Sequence, residues 1–155
     1  MPLMNKGGKF VFGISLVNSD LSVLIPPQSL QEYAIKLGAK VFLISGSKRS
    51  GGFVVAKKEL LSNSKIGNVL SDIPALGSYG LPEGDFIKYK GRLYCWTDIN
   101  HEGKIKFREE MLETLDISIG TKLLVIRSSN IAFAMGARGP LLERAKNYTG
   151  TIRIY

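Results

Sequence analysis

Apolar and polar positions alternate in short blocks along this chain, and the period shifts from two to nearly four and back again. Phe10, Phe12, Ile14 and Leu16 stand at every second position between Phe10 and Val17, which predicts a half-buried strand. Asn18-Ser19-Asp20 supplies a turn, and Leu21 to Ile25 reads as the next strand. Proline is tolerated at a helix start but not in a sheet interior, so Pro26-Pro27 opens a short helix from Pro27 to Tyr33 that Gly38 closes. The unbroken apolar run Val41 to Ile44 predicts a strand covered on both faces. It returns as Phe53 to Ala56 across a Gly-rich basic tip, and Lys57 to Leu61 continues as a helical turn. Residues 62–85 are rich in Ser, Asn, Pro and Gly and form a long connector. Phe86 to Ile99 then reads as a hairpin turning near Lys90-Gly91, and Asn100 to Gly103 as a turn. A later hairpin returns through Ile131 to Met135. Gly139-Pro140 starts a last helix through Lys146, and Thr151 to Tyr155 is long enough for a terminal strand.

The blocks recur. Val23 to Ile44 meets Ile105 to Ile126 without a gap at an offset of 82, with five identities: Leu30/Leu112, Ile35/Ile117, Gly38/Gly120, Lys40/Lys122 and Ile44/Ile126. Apolar character persists at Val23/Ile105, Ile25/Phe107, Tyr33/Leu115, Leu37/Ile119 and through the strand that follows. Duplication explains this register better than shared secondary structure does.

Composition narrows the class. With 155 residues and 45% hydrophobic positions, the chain suits one core or two intimately packed halves, and no apolar run is long enough to span a bilayer. The first ten residues lack a signal-like apolar stretch, and the single Cys95 excludes an intrachain disulfide framework. A cytoplasmic protein without membrane contact is expected. The net charge of +8 attracts polyanions, nucleic acid first among them.

The charges concentrate in three places. Lys88, Lys90 and Arg92 alternate with Ile87, Tyr89 and Leu93, while Lys104, Lys106 and Arg108 alternate with Ile105 and Phe107. Strand periodicity puts each trio on a common side, as a platform for phosphates. Lys48 and Arg49 add a basic loop tip, and with Lys57-Lys58 and Arg138 their value lies in adding to a common footprint, each alone being more simply a solvated turn. An edge guarded by lysines against aggregation is the plainer reading of the same strands. Gly46 and Gly51 have the spacing of P-loop glycines, but Gly52 and Phe53 stand where Lys and Ser or Thr are needed, which excludes a nucleotide hydrolase of that type. His101 sits in a turn, Cys95 lies between Tyr94 and Trp96 as a buried small hydrophobe, and Glu109-Glu110 open a helix. The chain therefore reads as a non-enzyme, with no catalytic residue, no metal site and no cofactor.

Ile25-Pro26, Tyr33-Ala34-Ile35 and Gly38-Ala39-Lys40 in the first copy, with Gly103-Lys104, Leu115-Asp116-Ile117 and Gly120-Thr121-Lys122 in the second, resemble the AbrB, SpoVT and MazE family of swapped-hairpin DNA-binding modules. The resemblance implies a mainly β fold with short helices, a tandem swapped-hairpin β-barrel of two pseudo-symmetric halves, arranged as in the MraZ branch. It implies a first half over 10–61 and a second over 86–155 with a C-terminal helix and strand, joined by the 62–85 connector and preceded by a flexible tail over 1–9, where Lys6, Gly7, Gly8 and Lys9 leave little to bury. It further implies a transcription regulator that binds double-stranded DNA, for which the charge pattern offers Lys48, Arg49, Lys88, Lys90, Arg92, Lys104, Lys106 and Arg108 as phosphate contacts. The short helices depart from the family pattern, carrying Leu30-Gln31 and Leu112-Glu113 in place of basic residues, and Arg108 replaces the family proline. An assembly module that keeps the barrel without binding nucleic acid is the alternative. An acidic protein partner and a homo-oligomer are compatible with the same surface.

Overall fold

Four consecutive buried residues, Val41 to Ile44, set the architecture. Side chains alternate across a strand, and here Val41 and Leu43 enter one apolar cluster while Phe42 and Ile44 enter another, so this strand needs cover on both faces. The computed structural model describes residues 3–4, 10–62, 68–129, 131–139, 142 and 154–155.

The strands are β1 (Leu3–Met4), β2 (Phe10–Leu16), β3 (Ser22–Leu24), β4 (Lys40–Ser45), β5 (Phe53–Ala56), β6 (Ile87–Tyr89), β7 (Arg92–Asp98), β8 (Lys104–Lys106), β9 (Lys122–Arg127) and β10 (Ala132–Gly136). Among the described residues five short helices accompany them: α1 (Pro27–Glu32), α2 (Lys58–Ser62), α3 (Asn68–Asp72), α4 (Pro74–Gly77) and α5 (Glu109–Thr114). Eight strands form one sheet in the order β1-β2-β9-β10-β5-β4-β7-β6, with antiparallel neighbours throughout, and β3 pairs with β8 as a separate ribbon. Leu3–Met4, inside the expected tail, pair with Val11 and Phe10. Ile154 bridges Ile14 in parallel and the Tyr155 amide donates to Ile14 O at 2.6 Å, while 151–153 of the expected terminal strand and nearly all of the expected last helix lie outside the described residues.

The sheet is open, which corrects the expected closed barrel. A small barrel buries one face of its strands, whereas this sheet buries two. On the inner face the ribbon residues Val23 and Ile105, with Leu30 of α1 and Met111 and Leu112 of α5, pack over Val41, Leu43, Val55 and Phe133. On the outer face Leu61, Val69, Leu70 and Leu76 from α2, α3 and α4 cover Phe42, Ile44 and Tyr94. The connector is thus a structural layer. It is tied down further where Trp96 Nε1 donates to Leu81 O at 2.6 Å and Thr97 Oγ1 donates to Glu83 Oε2 at 2.8 Å.

Pairing crosses between distant parts of the chain. The bounds of β2, β3, α1 and β4 recur 82 residues later as those of β7, β8, α5 and β9. Leu16 lies opposite Lys122 and Asp98 opposite Lys40, so β2 joins β9 while β4 joins β7. In the ribbon Val23 faces Ile105. The backbones match in detail too: Ala34 and Asp116 both take left-handed conformations, with φ of 53° and 55°. One difference is a bulge in β2 between Val11 and Gly13. The extra residue turns Phe12 into the inner cluster, whereas Tyr94 in the unbulged β7 faces the outer one.

Candidate nucleic-acid interface

Strand register decides which cations share a location. Ser45 pairs with Phe53 and Phe53 with Met135, while the Leu93 amide donates to Ser45 Oγ at 3.0 Å. The loop 46–52, the β6–β7 turn and the end of β10 therefore all emerge at one end of the sheet. Leu124 pairs with Gly136, which brings Lys122 at the start of β9 to that end as well. Lys48, Arg49, Lys90, Arg92, Lys122 and Arg138 line this rim. From β9 to β7 it crosses five strands, about 19 Å at the usual strand spacing.

Arg138 organises the loop. Its Nε and Nη2 donate to Lys48 O at 3.1 and 3.0 Å, its amide donates to Ser50 O at 2.9 Å, and its Nη1 lies 3.4 Å from Asp116 Oδ2. Gly52 allows the close crossing behind it, because its φ is +64° and a Cβ there would fall 2.0 Å from Met135 O. Lys48 and Arg49 project exposed from the loop so held. Together with Lys88, Arg92 and Lys122, they form no ion pair among the described residues. No Asp or Glu occurs in 46–52, 88–93 or 136–139.

The two expected strand trios fare differently. The two-residue turn Lys90-Gly91 pairs Tyr89 with Arg92 and Lys88 with Leu93, so Lys88 and Arg92 lie on opposite faces. This corrects their expected common side, since a hairpin turn resets the parity that a single strand would keep. Lys90, in the turn at φ 47°, rests over the Tyr89 ring at 5.3 Å. The second trio does alternate along β8, with Ile105 and Phe107 buried and Lys106 and Arg108 exposed. Every member meets an acid: Lys104 lies 4.0 Å from Glu102, Lys106 3.9 Å from Asp20, and Arg108 2.8 Å from Asp85. The Ser22 hydroxyl and amide, reinforced by Lys106, lower the Asp20 carboxyl below its ordinary range and keep it ionised. Such exposed pairs contribute little stability, but they cancel the field that Lys104, Lys106 and Arg108 would project.

The remaining cations lie elsewhere. Lys57 Nζ donates to Ala34 O at 2.9 Å, and Lys58 and Lys40 each sit 5.2 Å over the Tyr79 ring. The short helices add acids at Glu32, Glu109, Glu110 and Glu113. Cys95 is fully buried and its thiol is pushed up to about 12, chiefly by that burial, so it holds its proton at neutral pH. His101 is exposed, with its ring near Gly38. No group of three or more His, Cys, Asp or Glu positioned for a metal occurs among the described residues.

Sequence reasoning missed Lys122, which lies in the repeated stretch, and counted Arg138 toward a common basic footprint without placing it beside the 46–52 loop. The signal for both is register rather than composition, because their rim neighbours are distant in the chain. Compared with known proteins, the chain matches no family model and no curated sequence.

Proposed function

We propose that this chain is a non-enzymatic regulator of AbrB-like type that binds double-stranded DNA through the rim at one end of its sheet. The observation that carries this reading is the convergence of Lys48, Arg49, Arg92 and Lys122, exposed and without ion pairs among the described residues, on loops and strand ends that Arg138 joins together. A rim of about 19 Å matches five to six base pairs at about 3.4 Å each, enough for several phosphate contacts. The tandem swapped-hairpin reading, with a pseudo-two-fold axis near Val23 and Ile105, is supported by the shared 82-residue offset and the exchanged pairing of β2 and β4. In the open sheet the two halves share a layer rather than a closed barrel. Lys104, Lys106 and Arg108, each matched by an acid, take the lesser part.

Fluorescence anisotropy with a mixed-sequence duplex of about 20 base pairs tests the reading. Affinity is expected to fall as salt rises, with a log–log slope of about −3 to −5 for four to five phosphate contacts. Lys48→Glu with Arg49→Glu should weaken binding about tenfold or more, and Lys104→Glu with Lys106→Glu by much less. Absence of binding at low salt, with recovery of an acidic protein partner instead, transfers the reading to the assembly module.

A further inference from the structure

A groove runs along β10 on the outer face of the sheet. Its floor is low because β10 presents only Ala134 and Gly136 there, between walls formed by Leu124 and Ile126 of β9 and Val54 of β5. Register fixes this arrangement: Ala134 pairs with both Val54 and Ile126, and Gly136 pairs with Leu124. The groove is partly open and has a volume of about 280 Å³. One end is polar. Arg92 and Arg138 reach it, together with Ser47 and Ser50 of the 46–52 loop.

The polar end has unused donors. The Arg92 side chain makes no hydrogen bond or ion pair among the described residues. The Ser47 and Ser50 hydroxyls lie 2.9 Å apart, and a bond between them consumes one hydroxyl proton and leaves the other. Arg138 keeps its positive charge close by while it holds Lys48 O. Guanidinium groups beside a hydroxyl suit a carboxylate or phosphate head, and the aliphatic walls suit a narrow apolar body.

We propose that this groove binds a small amphipathic anion, a carboxylate or phosphate monoester on a narrow apolar chain, with its head at Arg92 and its body along Ala134 and Gly136. The site shares Arg92 and Arg138 with the proposed nucleic-acid rim, and its ligand is measured with protein alone, so either reading can fail without the other.

Isothermal titration of the full chain with octanoate and with octyl phosphate provides the test, with octanol and orthophosphate as body-only and head-only probes. One-to-one saturable binding is expected for at least one anion, and the stronger of the two identifies the head. Octanol and orthophosphate should each bind about tenfold more weakly or worse. Arg92→Gln should weaken the anion about tenfold and leave octanol unchanged. Gly136 has no positive φ, and a Cβ added there would meet Ser50 only at 3.7 Å, so Gly136→Val should keep the fold, as read by circular dichroism, and abolish binding. If that variant does not fold, Ala134→Leu fills the same groove. No saturable binding of either anion up to about 10 mM, octanol binding as tightly as the anions, or a folded groove-filling variant that binds normally overturns the proposal.

Discussion

At single positions the backbone separates residues that serve a conformation from residues that serve a contact. Gly120 has φ +88° with nothing near a would-be Cβ, whereas Gly52 has φ +64° and a carbonyl oxygen 2.0 Å away from one. Gly120→Ala should therefore cost about 1–2 kcal/mol, the ordinary penalty of a left-handed alanine. Gly52→Ala adds a backbone clash and should cost about 3 kcal/mol or more. Urea unfolding of the two variants checks the ordering, and equal midpoints would show that the 46–52 loop yields freely. Charged residues divide in a similar way. Lys106 and Arg108 look much like Lys48 and Arg49 in the sequence, but among the described residues the fold supplies Asp20 and Asp85 to the first pair and no acid to the second. Those acids sit far from their partners in the chain, so no local pattern announces them.

Among elements, the strands and the two repeated helices were legible because their periodicity is strong. The expected helix from Pro27 to Tyr33 is found at Pro27–Glu32, and the expected strand Val41 to Ile44 at Lys40–Ser45. The connector was not legible. Its two short helices, α3 and α4, are set between glycines and prolines, and what orders them is the apolar outer face they cover rather than their own propensity. Leu76 is fully buried in that layer, and Leu76→Ala should destabilise the protein by about 2–5 kcal/mol, measured by thermal or urea unfolding. A change near zero would mean that α4 contributes no cover. The expected barrel is not closed, and this same layer covers the outer face of the open sheet, as the unbroken apolar run Val41 to Ile44 requires. The rim was half legible: its loops were picked out by composition, but their convergence depends on strand order.

At the scale of the whole molecule, β2 and β7 each take one neighbour from their own half, β1 and β6, and the other from the opposite half. β2 lies against β9, and β7 against β4. Separately expressed segments 1–62 and 68–155 should therefore be poorly folded alone and associate when mixed, with recovery of the intact circular dichroism spectrum. Two segments that fold independently and stay apart on size exclusion would contradict the exchanged pairing. The exchange also bears on how the protein is made. Leu16 pairs with Lys122, so β2 leaves the ribosome more than a hundred residues ahead of the strand that completes it. At translation rates of about 5–20 residues per second, that is several seconds with an apolar edge exposed. During that interval the matching strand of another nascent chain on the same message is an equally good partner. The crossover that unites the two halves of one chain is thus also a route by which two chains can trade halves, and how crowded the message is with ribosomes becomes a determinant of whether the product is single or exchanged.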